Sequence, residues 1–213
     1  MGYRLPLSKV LKGKWLRIAE LQDLVMIELS KSFSFILHGG AAVWRVYSGK
    51  RFSYDIDVYH NNPEDVAKHF SSSSLFKVLK SKITPSKVLY LKIGNKVVAE
   101  LEASPIPRRV ETVEASFWLV DGSSMVVVTL TPESLLRGKV RAFMDRKTAK
   151  DLYDIFYLLD FCDKSKIRGE MEKIMPLLKS EPKDFPGLPE LILVGKPPSF
   201  EAVVRKVKMH ATG

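Results

Sequence analysis

The sequence predicts an α+β protein in which a mixed sheet flanked by helices occupies residues 1–130 and a helical part occupies residues 131–213. Three observations support this prediction. Short apolar, β-branched runs bounded by turn residues are concentrated before Thr131, and such runs are typical of strands. A glycine pair joins one of these runs to a short apolar stretch that suits a helix. After Thr131 most apolar residues recur with a helical period.

Local signals define the elements of the first part. Before the central strand the predicted elements are a helix over residues 7–30, a strand over 33–37 and a short helix over 41–47. The central strand then carries Asp55 and Asp57. A further helix should start at Pro63, because Asn62 suits an N-cap and proline is favoured at the first helical position.

Two hairpins and several helices complete the chain. Strands are predicted over residues 75–83, 88–93, 96–103, 117–120 and 125–130. Gly94-Asn95 and Asp121-Gly122 are two-residue links that favour hairpins. Thr131-Pro132 predicts the start of a helix that ends near Arg146. Further helices are predicted from Thr148, over 166–179 and over 199–208, whereas residues 184–198 are proline-rich and poorly patterned.

The Asp55-Ile-Asp57 sequence predicts a metal site. Alternate strand residues point to the same face, so both carboxylates project to one side, about 7 Å apart along the backbone. Two carboxylates on an apolar strand repel each other and are costly to desolvate unless a hard cation neutralises them. A solvated strand end is the other interpretation of an isolated Asp-x-Asp. The sequence therefore predicts a divalent cation, Mg²⁺, at this strand.

Gly39 and Gly40 predict a phosphate contact beside that metal. Glycines between a strand and a helix start let the backbone approach a ligand and direct free amides at it. A tight turn is the simpler explanation of Gly-Gly alone. Together with the two carboxylates, the pair indicates a site for a nucleoside triphosphate.

A third carboxylate is expected from the strand over residues 96–103. Val98, Glu100 and Glu102 share one face of that strand, and a carboxylate on an interior face needs a charge partner. Glu100 is the first choice and Glu102 the alternative. If this is an edge strand, both glutamates would instead face water.

Gly39-Gly40 followed by Arg51-Phe-Ser-Tyr-Asp-Ile-Asp57 resembles the signature of polymerase-β-type nucleotidyltransferases, in the version found in AbiEii/AbiGii-type toxins. The resemblance implies a polymerase-β-like nucleotidyltransferase core and nucleotide contacts from Gly39, Gly40, Arg51 and Ser53. Ala41 departs from the family, which usually has a hydroxyl residue there.

A second block carries the same resemblance. In the family a lysine on one helix precedes an Arg/Lys-Asp-x-x-Asp motif on the next, matched here by Lys139 and by Lys150-Asp151-Leu-Tyr-Asp154. The resemblance implies that Lys139 contacts the triphosphate and that Asp151 belongs to the active site. Structural ion pairs between Lys139 and these aspartates are the alternative. For both blocks to form one site, the helical part must fold back over the glycine turn.

Composition bounds the cellular setting and the partners. The single cysteine, Cys162, excludes a disulfide framework and a cysteine zinc site, and no apolar run reaches the length of a membrane span. The N-terminal residues lack the apolar core of a signal peptide. We therefore expect a cytoplasmic protein without a membrane partner. A net charge of +10 favours polyanions such as RNA, although a lysine-rich surface also serves solubility.

These features predict a nucleotidyltransferase that moves a nucleoside monophosphate from an NTP to a hydroxyl. Asp55, Asp57 and Glu100 would hold two Mg²⁺ ions, or Mn²⁺, while Lys139 and Asp151 complete the catalytic set. The acceptor would be tRNA or another RNA, a protein hydroxyl, or a small molecule. The family also suggests a toxin with an antitoxin partner. The alternative is a non-catalytic relative that binds nucleotide or RNA.

Overall fold

A computed structural model describes residues 6–212 of the chain. Its strands are β1 (Ile36–His38), β2 (Asp55–Tyr59), β3 (Val78–Ile83), β4 (Leu89–Gly94), β5 (Val98–Ser104), β6 (Thr112–Trp118) and β7 (Ser124–Leu130). Its helices are α1 (Leu7–Val10), α2 (Gly13–Ser32), α3 (Gly39–Arg45), α4 (Pro63–Ser72), α5 (Pro132–Arg146), α6 (Ala149–Leu158), α7 (Lys164–Ile174) and α8 (Phe200–Ala211). Two 3₁₀ segments cover Met175–Leu177 and Phe185–Leu191.

All seven strands form one sheet in the order β3-β4-β5-β2-β1-β7-β6. The sheet is mixed, because β2 pairs in parallel with β5 and β1 in parallel with β7, whereas the other pairs are antiparallel. The predicted α+β class is thereby confirmed. The topology places β2, with its two aspartates, near the middle of the sheet.

The core is shared by both parts of the chain. One cluster of buried apolar side chains extends from Val25 on α2, through the sheet, to Ala211 on α8. On β2 the alternation puts Ile56 and Val58 into this core and leaves the opposite face to the aspartates. Helices α5 and α6 pack on each other and on α3. The helical part therefore lies against the start of α3, where the glycine pair is found.

A smaller buried cluster supports α3 from the other side. Arg45, 1% exposed, forms an ion pair with Asp23 of α2 and donates through Nε to the carbonyl of Trp118 at 2.7 Å. Asp23 also accepts from the amide of Val120 at 2.7 Å. Because breaking a buried ion pair is costly, these contacts hold α3 firmly between α2 and the β6–β7 hairpin.

Several boundaries differ from the predicted ones. The helix expected over residues 7–30 is two helices, because Lys12 is extended and Gly13 adopts φ +57°. The short helix begins at Gly39 rather than residue 41, since Gly39 at φ +69° turns the chain directly out of β1. The prediction that the N-terminus lacks a signal peptide concerns a segment whose first five residues lie outside those described.

The later differences occur where exposure weakens the sequence pattern. Strand β6 starts at Thr112, earlier than expected, and its first three residues are exposed at the sheet edge, so they lack apolar alternation. The poorly patterned segment contains the 3₁₀ turn Phe185–Leu191, whose Phe185 and Leu188 are buried. Its end pairs with the residues around Arg51, through the Arg51–Ile192 bridge.

Candidate active site

Asp55 and Asp57 lie on the face of β2 that is turned away from the apolar core. Both are partly buried, and both line a cleft of about 970 Å³ between the sheet and the helical part. Burial raises the pKa of Asp55, and the neighbouring charges of Asp57 and Glu100 raise it further. Burial also raises the pKa of Asp57, although Lys139 counteracts this. The chain thus gathers carboxylates where their own charges are unfavourable.

The two candidates for a third carboxylate are placed differently. In the parallel β2–β5 pair, Glu100 is opposite Asp55 and Glu102 is opposite Asp57, all on one face. Glu102 lines the cleft, and burial together with Asp57 raises its pKa. Glu100 is absent from the cleft wall, and its carboxylate binds the ammonium of Lys92 on β4 at 2.6 Å. The geometry therefore favours Glu102 over Glu100, the first choice from the sequence.

The glycine pair is packed tightly against the carboxylate strand. A Cβ on Gly39 would lie 1.8 Å from Oδ2 of Asp57, and one on Gly40 would lie 2.4 Å from Oγ of Ser53. Asp57 also accepts a hydrogen bond from the backbone of Gly40, which offsets part of the rise in the Asp57 pKa that burial causes. The absent side chains thus make room for the carboxylate of Asp57 and for the Arg51–Ser53 segment. Both glycines line the cleft.

Arg51 connects the first sequence block to the second. Its guanidinium binds both oxygens of Asp154, with Nε to Oδ1 at 2.6 Å and Nη2 to Oδ2 at 2.5 Å. Lys139 reaches the same carboxylate at 2.7 Å. Asp154 is fully buried, which alone would raise its pKa, but the charges of Arg51 and Lys139 lower it. Two cations therefore neutralise one buried carboxylate at the base of the cleft.

Asp151 lies one helical turn before Asp154 and has its own partners. Both of its oxygens accept from Nη2 of Arg146 at 2.9 Å, and Oδ2 accepts from the hydroxyl of Thr148 at 2.6 Å. Lys139 is 3.8 Å away. Asp151 and Lys139 both line the cleft. The structure thus brings the two sequence blocks to one cleft and also makes the structural ion pairs that the sequence left as an alternative.

Ser53 is positioned by α2. Its carbonyl and that of Tyr54 accept hydrogen bonds from Nε2 of Gln22, at 3.0 and 2.8 Å. Gln22 is 2% exposed, so these bonds are shielded from water. They fix the segment that leads into Asp55.

Asp55 and Asp57 are the candidate ligands for a metal ion. Within residues 6–212 no group of three or more His, Cys, Asp and Glu side chains is already arranged around a common point. Mg²⁺ needs fewer protein ligands, because it is usually held by one or two carboxylates together with water and substrate phosphates. Asp55 and Asp57 supply two such oxygen ligands on one face. The residues fit Mg²⁺ or Mn²⁺ bound together with a phosphate-bearing substrate.

A family model described as the nucleotidyl transferase AbiEii toxin of a type IV toxin–antitoxin system matches residues 91–199, slightly more than half of the chain. The chain belongs to the AbiEii family. The match includes Lys139 and Asp151 but begins after the glycine turn and β2, so it does not contain them. Those elements are connected to the family only by the resemblance noted in the sequence.

Solved structures share the AbiEii protein's fold. JHP933 from Helicobacter pylori is 17% identical with a TM-score of 0.66, covering 94% of this chain and 91% of that one. A candidate nucleotidyltransferase from the same organism is 18% identical with a TM-score of 0.61, covering 94% of both chains. The antibiotic-resistance factor ANT(2'')-Ia is 10% identical with a TM-score of 0.53, covering 78% and 94%. The predicted polymerase-β-like nucleotidyltransferase fold is confirmed.

Two negative findings stand beside these similarities. A search of curated proteins gave no significant match. Among the helices of residues 6–212, none is both long and apolar enough to cross a membrane.

Several cleft residues were not predicted from the sequence. Five basic side chains line the cleft in addition to Arg51 and Lys139, namely Arg109, Arg137, Arg141, Arg146 and Lys150. His38 also lines it, stacked on Tyr59 at 3.8 Å, and burial followed by the charge of Lys139 lowers its pKa to about 4. Position immediately before Gly39 was the only signal that could have identified His38. Lys150 belongs to the Lys-Asp-x-x-Asp motif of the second block, but no role was expected for it. Arg137, Arg141 and Arg146 lie on α5 and Arg109 in a loop, and no local pattern marks these four arginines as cleft residues.

Proposed function

We propose that this AbiEii nucleotidyltransferase moves a nucleoside monophosphate from an NTP to a hydroxyl acceptor with the help of Mg²⁺. The observation that carries the proposal is the position of Asp55 and Asp57. They share one strand face at the wall of a cleft, in surroundings that disfavour their charge, and basic side chains lie across from them. Such an arrangement suits a ligand that combines a divalent cation with a polyphosphate.

Each residue has a defined part in this proposal. Asp55, Asp57 and Glu102 would hold the metal, one ion or the two expected from the sequence; bound there, it would supply Lewis-acid activation of the hydroxyl and neutralise charge on the phosphates. Glu100 remains the alternative to Glu102. Gly39 and Gly40 would let the triphosphate approach the start of α3, with Ser53 beside them.

The cations are suited to different tasks. The guanidinium of Arg51 donates to Asp154 through both Nε and Nη2. We therefore assign Arg51 to positioning the loop before Asp55 rather than to free contact with nucleotide. Lys139 already has two carboxylates nearby, and would contact phosphate from that position beside Asp151. Lys150 lowers the pKa of both Asp55 and Asp57 and makes no ion pair within residues 6–212, so its ammonium is available to the triphosphate.

RNA is the acceptor class that the charge of the molecule supports. Arg109, Arg141 and Lys150 line the cleft and form no ion pair within residues 6–212, and the net charge of +10 attracts polyanions generally. A tRNA is one such acceptor, and a protein hydroxyl is the competing one. The family description further supports a role as a toxin with an antitoxin partner. We expect it to act in the cytoplasm, as predicted from the sequence.

Incubation with each labelled NTP, Mg²⁺ and total RNA or total protein tests the proposal. We expect label to enter RNA from one or more NTPs, to disappear with a chelator and to disappear with Asp57→Asn. Glu102→Gln should behave like Asp57→Asn, and Glu100→Gln is the matched control that retains transfer. Unchanged labelling by Asp57→Asn would refute the metal mechanism, and loss with Glu100→Gln alone would restore the first choice from the sequence.

The acceptor class has its own measurement. RNA binding that depends on phosphate contacts weakens linearly on a log–log plot against salt, with a slope that reports the number of phosphates neutralised. We expect a steep slope for the wild-type protein. Label that enters protein, together with RNA affinity that is flat between low and physiological salt, would identify a protein acceptor.

A further inference from the structure

Tyr54 is an exposed aromatic residue at the wall of the cleft, directly before Asp55. The residue lines the cleft and is 42% exposed. It occupies the variable position of the Arg-Phe-Ser-x-Asp motif, so the family resemblance assigns it no role. The roles proposed above leave it unused.

Three contacts fix Tyr54 in place despite its exposure. The indole Nε1 of Trp15 donates to its hydroxyl at 3.0 Å. Its ring meets the ring of Phe52 edge to face, with centroids 4.9 Å apart. Its carbonyl accepts from Gln22 at 2.8 Å. Both ends of the residue are therefore restrained by α2 and by a buried neighbour.

The support beneath Tyr54 is itself rigid. Phe52 is completely buried, stacks on Trp15 with centroids 5.2 Å apart, and packs on Trp44 at 4.7 Å. Tyr54 thus forms the exposed end of an aromatic cluster that joins α2, α3 and the loop before β2. Leu191 also lines the cleft and pairs through its carbonyl with the amide of Phe52 at 2.8 Å. Tyr54 and Leu191 thus place an aromatic and an apolar residue together in a cleft wall that also contains many basic side chains.

An aromatic side chain held in this way suits a planar ligand. Base–aromatic stacking is favourable for every nucleobase, since each has a π-face, and a fixed ring has little conformational entropy left to lose on binding. The carboxylates and cations beside Tyr54 suit a metal-bound triphosphate, so Tyr54 and Leu191 are left for the rest of the nucleotide.

We propose that Tyr54 is the stacking platform for the base of the incoming nucleoside triphosphate. The inference rests on the proposed nucleotidyltransferase function and adds a base-binding subsite to it. Tyr54 contributes affinity for all four bases, and selection among them lies elsewhere. Trp15, Phe52 and Gln22 are positioning residues that hold the platform.

Binding of two ligands in the presence of Mg²⁺ tests the subsite without requiring turnover. One ligand is a non-hydrolysable NTP analogue, and the other is inorganic tripolyphosphate, which lacks a base. Tyr54→Ala should weaken binding of the analogue by roughly ten- to a hundredfold and leave tripolyphosphate binding unchanged, because only the stacking partner is removed. Tyr54→Phe should bind the analogue within about twofold of wild type, since it keeps the ring.

Phe161→Ala is the matched control, because Phe161 is 45% exposed and does not line the cleft. It should bind both ligands as wild type does. Equal binding of the analogue by wild type and Tyr54→Ala would overturn the subsite while leaving the nucleotidyltransferase proposal intact. Unchanged analogue binding with weaker binding of an RNA acceptor would instead assign the platform to the acceptor. A wild-type protein that binds neither ligand would refute both proposals.

Discussion

At the scale of single residues, Asp57 lies where the sheet, the glycine turn and the helical part meet. Burial raises its pKa above the ordinary value, so its ionised form is less stable in the folded chain than in the unfolded one. That cost is fully present above the folded-state pKa and diminishes as the pH falls towards the ordinary value near 4. The carboxylate proposed to hold the metal therefore destabilises the metal-free fold.

Asp57→Asn should accordingly be more stable than wild type when metal is absent. Asparagine keeps an oxygen for the backbone of Gly40 but removes the buried charge. Each kcal/mol added to the free energy of unfolding raises the melting temperature by about 2–4 °C in a chain of this size. Thermal unfolding with a chelator measures it, and the advantage of the variant should shrink as the pH is lowered. A lower melting temperature for Asp57→Asn at neutral pH would show that the charge is stabilising instead.

Asp154 has the opposite electrostatic role. It is fully buried, and Arg51 and Lys139 lower its pKa, so it stabilises the fold when ionised. Asp154→Asn should reduce the free energy of unfolding by about 3–5 kcal/mol, because two buried cations lose their counter-ion. Chemical denaturation at neutral pH measures the loss.

The pH dependence of that loss follows from the direction of the pKa shift. A carboxylate with a lowered folded-state pKa stabilises fully above its unfolded pKa, near 4, and loses the contribution as the pH falls through the folded value. The difference between wild type and Asp154→Asn should therefore narrow below about pH 4. Glu172→Gln, which removes half of an exposed ion pair with Arg168, is the control and should change stability by less than about 1 kcal/mol. A similarly small effect of Asp154→Asn would contradict the network.

At the scale of elements, the junction of β1 and α3 depends on two absent side chains. Gly39→Ala would combine a positive φ with a Cβ placed 1.8 Å from Asp57. We expect this variant to lose both stability and nucleotidyl transfer, because Asp57 must move. Gly169→Ala on α7 is the matched control, since no atom outside its own stretch of helix backbone lies within 4 Å of its Cβ position. It should gain up to about 1 kcal/mol from its higher helix propensity, and denaturation measures both. Equal stability of the two variants would refute the tight junction.

The elements show which signals the sequence contains. Both hairpins and the helix starts at Pro63 and Pro132 were predictable, because turn residues and proline act over a few neighbours. The hairpin links, residues 95–97 and 119–123, are longer than the two residues predicted, and Asn62 makes no capping hydrogen bond through its side chain. The first half of β6 was not predictable, since an exposed edge strand carries little apolar alternation. That Glu102 and not Glu100 lines the cleft was not predictable either. The two glutamates share a strand face, and their surroundings depend on the distant β2.

The cleft shows the same division. Asp55, Asp57 and the glycines could be identified as a group because one short segment contains them. The basic residues around them could not, since Arg109, Arg141 and Arg146 come from a loop and a helix distant in the chain. The bidentate contact of Arg51 with Asp154 also depends on tertiary packing, and it is the reason that we propose a positioning role for Arg51 beside the nucleotide contact predicted from the sequence.

At the scale of the whole molecule, the division at residue 130 separates the strands from the later helices but does not divide the core. The large apolar cluster contains residues from both parts, and α5 and α6 pack on α3. We therefore expect one cooperative unfolding transition. Calorimetry should give equal calorimetric and van't Hoff enthalpies. Two separated transitions, or a stable fold for residues 1–130 alone, would show that the parts are independent.

The pairing of residues 50–52 with the segment after the second 3₁₀ turn has a consequence for synthesis. The amide of Phe52 donates to Leu191 at 2.8 Å and the amide of Leu193 to Lys50 at 2.7 Å, so the loop beside Asp55 is completed by residues made much later. At translation rates of about 5–20 residues per second, the ribosome reaches Leu193 on the order of ten seconds after Arg51. For the first part of that interval the nascent chain also lacks Asp154, the counter-ion of Arg51. We therefore expect the loop before Asp55 to reach its final structure only after residues 191–193 have been synthesised.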